Sequence, residues 1–431
     1  MNIAIVGYGA QGKSALEHLN TANNHITVCD VNTELSLPPG VTAHIGISYM
    51  DGLEHFDLIV RSPSIHPKEL SGIPANKITT NTNLFFKDSP SKNIIGITGT
   101  KGKGTTSTLL AKMLQAMGKR VHLGGNIGTP PLELLKQDIK SEDWVVLELA
   151  NFQLIDLKYA PKIAVCLMVE PEHLDWHNDM AEYMSAKSQM FKNQDESGTA
   201  VFHAGNKYSK DIASNSPGKL IGYLSQDGAH VKETYIEIDG QEIIKLDDLQ
   251  LPGKHNHENI CAAVTTAWQV EKNPKALKQV LSTFGSLPFR IEKRKTVNGI
   301  TYYNDSFASA PGATVAAIEA IPGKKVLILG GYERGLDLSE LIGAIKKHSG
   351  EITKVILIGA SADRIAENFK DRGLKNYIKC HCKTMEEMVG EAASLAEKGG
   401  SVVLSPGFPS FDMFKNFEDR GIQFNEAVEK L

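Results

Sequence analysis

The chain has 431 residues, enough for two to four domains, each with its own core. Its hydrophobic share of 41% and charged share of 22% are ordinary for a globular protein, and a net charge of -4 excludes a general attraction to nucleic acid or to an acidic membrane surface. No apolar run approaches the length that crosses a bilayer, and the start, Met1 to Gly7, is too short an apolar stretch for a secretion signal.

In chain order, Ile3 to Val6 is a short apolar run expected as a buried parallel strand. Gly7-Tyr-Gly9-Ala10-Gln11-Gly12 follows, then a helical pattern to about Leu19 and a second run, Ile26 to Cys29, ending on Asp30. Three glycines after a strand and an acid after the next strand fit the dinucleotide fingerprint, which places a pyrophosphate at a helix N-terminus. A tight strand–helix turn is the plain alternative. A third strand ends at Arg61-Ser62-Pro63, and polar residues around Lys87 to Lys92 mark a boundary near residue 90.

The next stretch, Asn93-Ile-Ile-Gly-Ile-Thr-Gly99-Thr-Lys-Gly-Lys103-Gly104-Thr105, reads as strand, glycine-rich loop and helix. Such a loop turns backbone N–H groups toward a phosphate, with Lys103 adding a full charge. It departs from the strict triphosphate signature, because five residues separate Gly96 from Gly102 and Gly104 stands where a hydroxyl would meet magnesium. Trp144 to Glu148 is an apolar run stopping on an acid, the place for a magnesium ligand. Ile163 to Val169 leads into Glu170-Pro-Glu172-His173-Leu-Asp175-Trp-His177, a dense set of possible ligands. Lys187 lies in a helical pattern with Met184, Met190 and Phe191. A further helix opens at His255-Asn256 and runs to about Val270, with Asn256 and Asn259 on one face. After Ser286 to Arg290, a linker, strands alternate with helices to the end, predicting another open parallel sheet. Five scattered cysteines fit a reducing compartment, and Cys380-His381-Cys382 reads as a strand near the surface, with metal binding as the second reading.

Together these motifs resemble the Mur ligases of peptidoglycan synthesis. The pieces that carry the resemblance are Gly99 to Lys103, Gly125-Asn126-Ile-Gly128, Glu148 with Phe152-Gln-Leu154, Glu172-His173-Leu-Asp175, Tyr183 to Lys187, His255-Asn256 with Asn259, Asn304-Asp305-Ser306, and Ser410 to Gly421. The resemblance implies an α/β fold of three domains, each built on an open, mostly parallel sheet. These are a Rossmann-like domain over 1–90 for a uridine diphosphate substrate, a P-loop ATPase domain over 91–288, and a Rossmann-like domain over 289–431 for ATP and an amino acid. It implies an ATP-dependent amide ligase working through an acyl phosphate, a cytoplasmic monomer with Mg2+, joining D-glutamate to UDP-N-acetylmuramoyl-L-alanine, with L-glutamate or another amino acid as the alternative acceptor. It further implies that Gly99, Thr100, Lys101, Gly102, Lys103, Gly104, Thr105, Asn256, Asn259, Arg290 and Asp305 bind ATP. Thr105, Glu148, His173 and a carbamylated Lys187 would hold the metal. Lys103, Lys187, His173 and Asn126 would carry catalysis. Gly9, Ala10, Gln11, Gly12, Asp30, Ser62 and Asn126 would meet the uridine substrate, and Ser309, Arg334, Ser410 and Phe417 the acceptor. Departures from the family pattern cluster near the acceptor: Phe307 in place of a lysine, Ser309 in place of a threonine, Phe289 in place of a histidine, Ala150-Asn151 in place of two serines, and Arg334 in place of a lysine. An oxidoreductase, resting on the glycine fingerprint alone, leaves Lys103, Glu148 and His173 without a job.

Overall fold

The computed structural model describes every residue except Ile127 and Pro252, with the backbone alone for Lys254. The chain divides into two compact units, one of residues 1–248 with 257–282 and one of residues 249–256 with 283–431.

The first unit holds two fully parallel sheets. In the first, the order is Thr42–Ile45, His25–Asp30, Asn2–Val6, Leu58–Arg61, Ile78–Thr80. In the second it is Lys219–Tyr223, Thr199–His203, Ile163–Cys166, Ile94–Thr98, Trp144–Glu148, Val121–Gly125. Central strands of parallel sheets are covered on both faces, which is why Ile94–Thr98 is apolar up to Ile97 and is buried throughout. Ile97 pairs with Glu148 and Thr98 with Cys166, so the loop after Thr98 and the acid at Glu148 emerge side by side at the carboxyl edge. Helix Lys103–Ala116 starts directly from that loop.

The boundary expected near residue 90 falls in the link between helix Asn81–Asp88 and strand Ile94–Thr98. The physical contacts run straight across it. One apolar cluster joins Ile3, Val28 and Phe85 of the first sheet layer to Leu147, Phe191 and Ala213 of the second. Arg61, its side chain fully buried, forms a bidentate pair with Asp156 at 2.8 Å to each oxygen, and donates to the carbonyls of Ile65 and Phe152. Removing one partner of such a pair leaves the other uncompensated. Replacing Arg61 with methionine should therefore lower stability by about 3 kcal/mol, read as a reduced urea midpoint with an unchanged slope.

This unit also holds an element not expected from the sequence, a three-stranded antiparallel meander of His230–Lys232, Tyr235–Ile238 and Gln241–Lys245. Its hairpin turns on Asp239-Gly240, with φ of 50° and 74°. Asp-Gly with both residues at positive φ is a tight hairpin turn whose twist matches the flanking strands.

The second unit is one six-stranded sheet in the order Glu292–Val297, Ile300–Asn304, Ser401–Leu404, Lys325–Gly330, Ile352–Ile358, Tyr377–Lys379. The first pair is antiparallel and the others parallel. Strand Glu292–Val297 was not expected from the sequence. It lies on the sheet edge and carries Lys293, Arg294 and Lys295, so it lacks the apolar run of a covered strand.

Candidate active site

The glycine-rich loop expected to hold phosphate is built by close approach. Gly99 has φ 145°, and a Cβ there would lie 2.6 Å from Leu167 Cβ; Gly102 has φ 85°, and a Cβ there would lie 2.1 Å from Asn259 Oδ1. Only glycine meets both demands. Thr100 then anchors the loop to the end of the neighbouring strand. Its N–H donates to Met168 O at 2.9 Å, its hydroxyl donates to Glu170 O at 3.1 Å and accepts the Glu170 N–H at 2.9 Å, and Tyr183 OH lies 3.0 Å away. Lys101 points outward and pairs with Glu170. Thr105 is buried in the first turn of the helix that Gly102 and Lys103 begin, behind Gly104.

Two lysines converge on one carbonyl. Lys103 Nζ donates to Gly99 O at 3.1 Å and to Thr100 O at 2.9 Å; Lys187 Nζ also donates to Gly99 O, at 3.1 Å. Lys187 belongs to helix Met180–Lys192, is 1% exposed, and lies over the Tyr183 ring at 4.4 Å. Burial first, and the nearby Lys103 charge second, push its pKa down from 10.5 to about 7. A buried lysine held part-neutral differs from the solvated lysine that an amphipathic helix usually carries.

Glu148 is 3% exposed at its strand end. Asn126 donates its side-chain amide to Glu148 Oε1 at 3.2 Å and its backbone N–H to Glu148 O at 2.8 Å. Gly125 makes this possible, since a Cβ there would lie 2.1 Å from Glu148 O. His173 has φ 58° and packs edge-on against Phe152 at 4.8 Å. Burial, with the charges of Lys187 and Lys103, holds it below the usual histidine range, so it is a neutral imidazole at physiological pH. A buried carboxylate, a neutral imidazole and a part-neutral lysine around one phosphate loop form a donor set that fits a hard divalent cation once the lysine gains an acid group. The loop carrying His173 is fixed from below by residues that sequence reasoning had not assigned. Asn151 donates to His177 Nε2 at 2.7 Å, leaving His177 Nδ1 to donate to Glu182 at 3.3 Å. His66 accepts the Lys68 N–H on Nδ1, and its buried Nε2 lies 3.5 Å from the same Glu182 oxygen. Both imidazoles therefore present N–H groups to Glu182, which suits a brace and not a metal centre.

In the first sheet, Gly9 caps helix Ala10–Leu19 in extended conformation, with open space beside it. Gly12 packs on the strand–helix turn, where a Cβ would lie 2.1 Å from Gly7 O. Asp30 braces this loop: Oδ2 accepts the Tyr8 N–H at 2.6 Å and Oδ1 the Asn32 N–H at 2.9 Å. Gln11 has a buried Oε1 with no hydrogen-bond partner among the described residues. Ser62 is buried beside Gly7.

Asn256 sits in the first turn of helix Lys254–Val270, and Asn259 one turn later touches the phosphate loop. In the second unit Asp305 is buried. Its Oδ1 accepts the Ile291 N–H at 3.0 Å and its Oδ2 the Ser405 hydroxyl at 2.7 Å, while burial pushes its pKa up to about 7. Arg290 lays its guanidinium 3.5 Å over the Phe307 ring, and Phe307 meets Phe417 edge-on at 5.0 Å. Phe307, the residue that departs from the family pattern, is thus a platform for Arg290. Phe289 lies against Gly421, where a Cβ would be 2.4 Å from its ring. Ser309 and Arg334 are exposed and Ser410 is buried. Arg420, fully buried, donates to Ser306 Oγ at 2.9 Å, Ser306 O at 2.8 Å and Phe408 O at 3.1 Å, and Ser306 in turn donates to Phe417 O at 2.8 Å. It organises the segment around Phe417 from beneath.

The Mur ligase middle domain pattern matches residues 97–267, and the Mur ligase glutamate ligase domain pattern matches residues 289–408. The UDP-N-acetylmuramoylalanine--D-glutamate ligase of Ruminiclostridium cellulolyticum is 35% identical, over all of this chain and 96% of its own length. The chain belongs to the Mur ligase family. The Clostridium botulinum Alaska E43 ligase of the same name is 34% identical, with the same coverage. Among solved Mur ligase structures, MurF of Thermotoga maritima in complex with ADP has a TM-score of 0.64 at 18% identity, covering 99% of this chain and 94% of that one. UDP-N-acetylmuramate-alanine ligase MurC of the same organism has a TM-score of 0.63 at 15% identity, covering 100% and 99%. At these identities the two structures speak for the Mur ligase fold alone.

Proposed function

We propose that this Mur ligase joins D-glutamate to UDP-N-acetylmuramoyl-L-alanine at the expense of ATP, in the cytoplasmic stage of peptidoglycan precursor synthesis. The observation that carries the ligase chemistry is the convergence of Lys103 and part-neutral Lys187 on the Gly99 carbonyl. The names of the full-length relatives carry the acceptor.

The substrate carboxylate attacks the γ-phosphorus of ATP and ADP leaves, giving an acyl phosphate. The amine of D-glutamate then attacks the acyl carbon, and phosphate departs through a tetrahedral intermediate. Both steps gather negative charge, so fixed cations and N–H donors at the loop lower the barrier. Lys103 and the loop's backbone N–H groups, apart from that of Thr100, which is given to Met168 O, bind the phosphates. Neutral Lys187 adds CO2 at Nζ and releases a proton, becoming a carbamate. Glu148, His173 and that carbamate would hold Mg2+, with Thr105 nearby, and a bound Mg2+ neutralises charge on the phosphate oxygens. Asn126, tied to Glu148, faces the acyl group. Asn256 and Asn259 flank adenine, and Arg290 on its Phe307 platform, with Asp305, completes the ATP contacts. Gly9 to Gly12 and Ser62 take the uridine diphosphate end.

The test is phosphate release with ATP, UDP-N-acetylmuramoyl-L-alanine and either isomer of glutamate. Turnover with the D isomer and none with the L isomer is expected; turnover with L-glutamate alone overturns the acceptor. Exposed Arg334 offers a bidentate fork for one glutamate carboxylate, and Ser410 with the backbone near Phe417 serves the other. Arg334→Leu should raise the KM for D-glutamate roughly 10- to 100-fold, as expected for a lost charged hydrogen bond of about 1.5–3 kcal/mol. The KM for ATP should stay within about twofold, and equal rises in both would remove Arg334 from the acceptor site.

A further inference from the structure

Cys380 and Cys382 lie just beyond strand Tyr377–Lys379, at the edge of the second unit's sheet. Their sulfurs are bonded to each other, with Cα atoms 5.3 Å apart, inside the usual disulfide range. Both are half-buried, whereas Cys29, Cys166 and Cys261 are buried. Glu391, from helix Met385–Leu395, places Oε2 3.0 Å from the Cys380 sulfur and 3.2 Å from the Cys382 sulfur. The Cys382 N–H donates to Cys380 Sγ at 3.3 Å.

A bond across two residues closes almost no chain, and disulfide stabilisation grows with the loop that is closed. The bond therefore adds little to folding, and the Cys380 N–H already holds this segment to Leu357 O at 2.9 Å. What the arrangement does favour is exchange. An N–H donor stabilises thiolate on Cys380, making it the attacking sulfur. A carboxylate within reach of both sulfurs can accept the proton that each must lose in turn.

We propose that Cys380 and Cys382 form a redox-active dithiol that exchanges with low-molecular-weight disulfides. Cys380 gives its proton to Glu391 and, as thiolate, attacks one sulfur of the small disulfide, forming a mixed disulfide and releasing one small thiolate, which takes that proton from Glu391. Cys382 gives its proton to Glu391 and attacks Cys380 Sγ, closing the protein disulfide and releasing the second small thiolate. The protein loses two electrons and two protons, and the small disulfide becomes two thiols. The ligase reaction takes no part in this exchange.

The test uses the reduced full-length protein, equilibrated with excess oxidised glutathione, alkylated without denaturant and weighed by mass spectrometry. Native alkylation reads only the two half-buried thiols. Wild type should lose both together, with a mass lower by two hydrogens and no lasting glutathione adduct. Cys382→Ser should keep one glutathione adduct on Cys380, and Cys380→Ser should acquire its adduct more slowly. Glu391→Gln should prolong the mixed disulfide in the otherwise wild-type chain. Two thiols that stay alkylatable in the wild type overturn the proposal. So does a pair masked from the outset and freed only by a chelator together with zinc, which would make the same atoms a metal site.

Discussion

Lys187→Ala should lose roughly 100- to 1,000-fold in turnover, the scale of removing one fixed charged group from a transition state. Formate or acetate with added Mg2+ should restore part of it. A lysine of ordinary pKa would be neutral in roughly three molecules in ten thousand at pH 7. At a pKa of about 7, Lys187 is neutral in about half of them. Only the neutral amine has the lone pair that takes up CO2, which is the state the proposed carbamylation requires. Activity of the wild type, measured at a fixed concentration of dissolved CO2, should therefore rise as pH passes upward through about 7, and stripping CO2 should slow it. Full activity in CO2-free buffer, or no rescue by any short carboxylate, would remove the carbamate from the mechanism.

Lys103→Ala should be as severe, again roughly 100- to 1,000-fold in kcat/KM, because its charge is held over the phosphate loop by two carbonyls. Turnover within about tenfold of wild type, only ~1.4 kcal/mol, would refute the role. The shared Gly99 carbonyl adds a second expectation. With the Lys103 charge gone, Lys187 loses a neighbour that lowers its pKa, so its neutral fraction at pH 7 falls. The remaining activity of Lys103→Ala should then show its rise at higher pH than wild type does. The two substitutions should combine less than additively, as expected for groups in contact.

The parts of the candidate site that the sequence suggests are those whose chemistry is local. The phosphate loop declares itself within a dozen residues, and Glu148 by ending an apolar strand. Arg61, Arg420 and the Glu182 brace could not be read this way. Arg61 meets Asp156 at a separation of 95 residues, and Arg420 meets Ser306 at 114. No periodicity encodes such pairings. Lys187 needed the family resemblance, since its helical pattern is that of any half-covered helix and only the fold puts it beside Gly99. The Asp239-Gly240 hairpin differs: its turn signal is present in the sequence, among alternating apolar residues, and was readable from spacing alone. Phe307 looked like a lost charge in the sequence. In the structure it is the surface on which Arg290 rests, a gain visible only when both residues are placed.

The apolar cluster and the Arg61–Asp156 pair that cross residue 90 bear on how the protein can be cut. A truncated piece beginning near residue 91 would expose the Leu147 and Phe191 side of that cluster and strand Asp156 without its guanidinium. Such a piece is a poor candidate for expression by itself, although the sequence marks a domain start there. Heating should melt the first unit as one cooperative block, because one apolar cluster is shared by both of its parallel sheets.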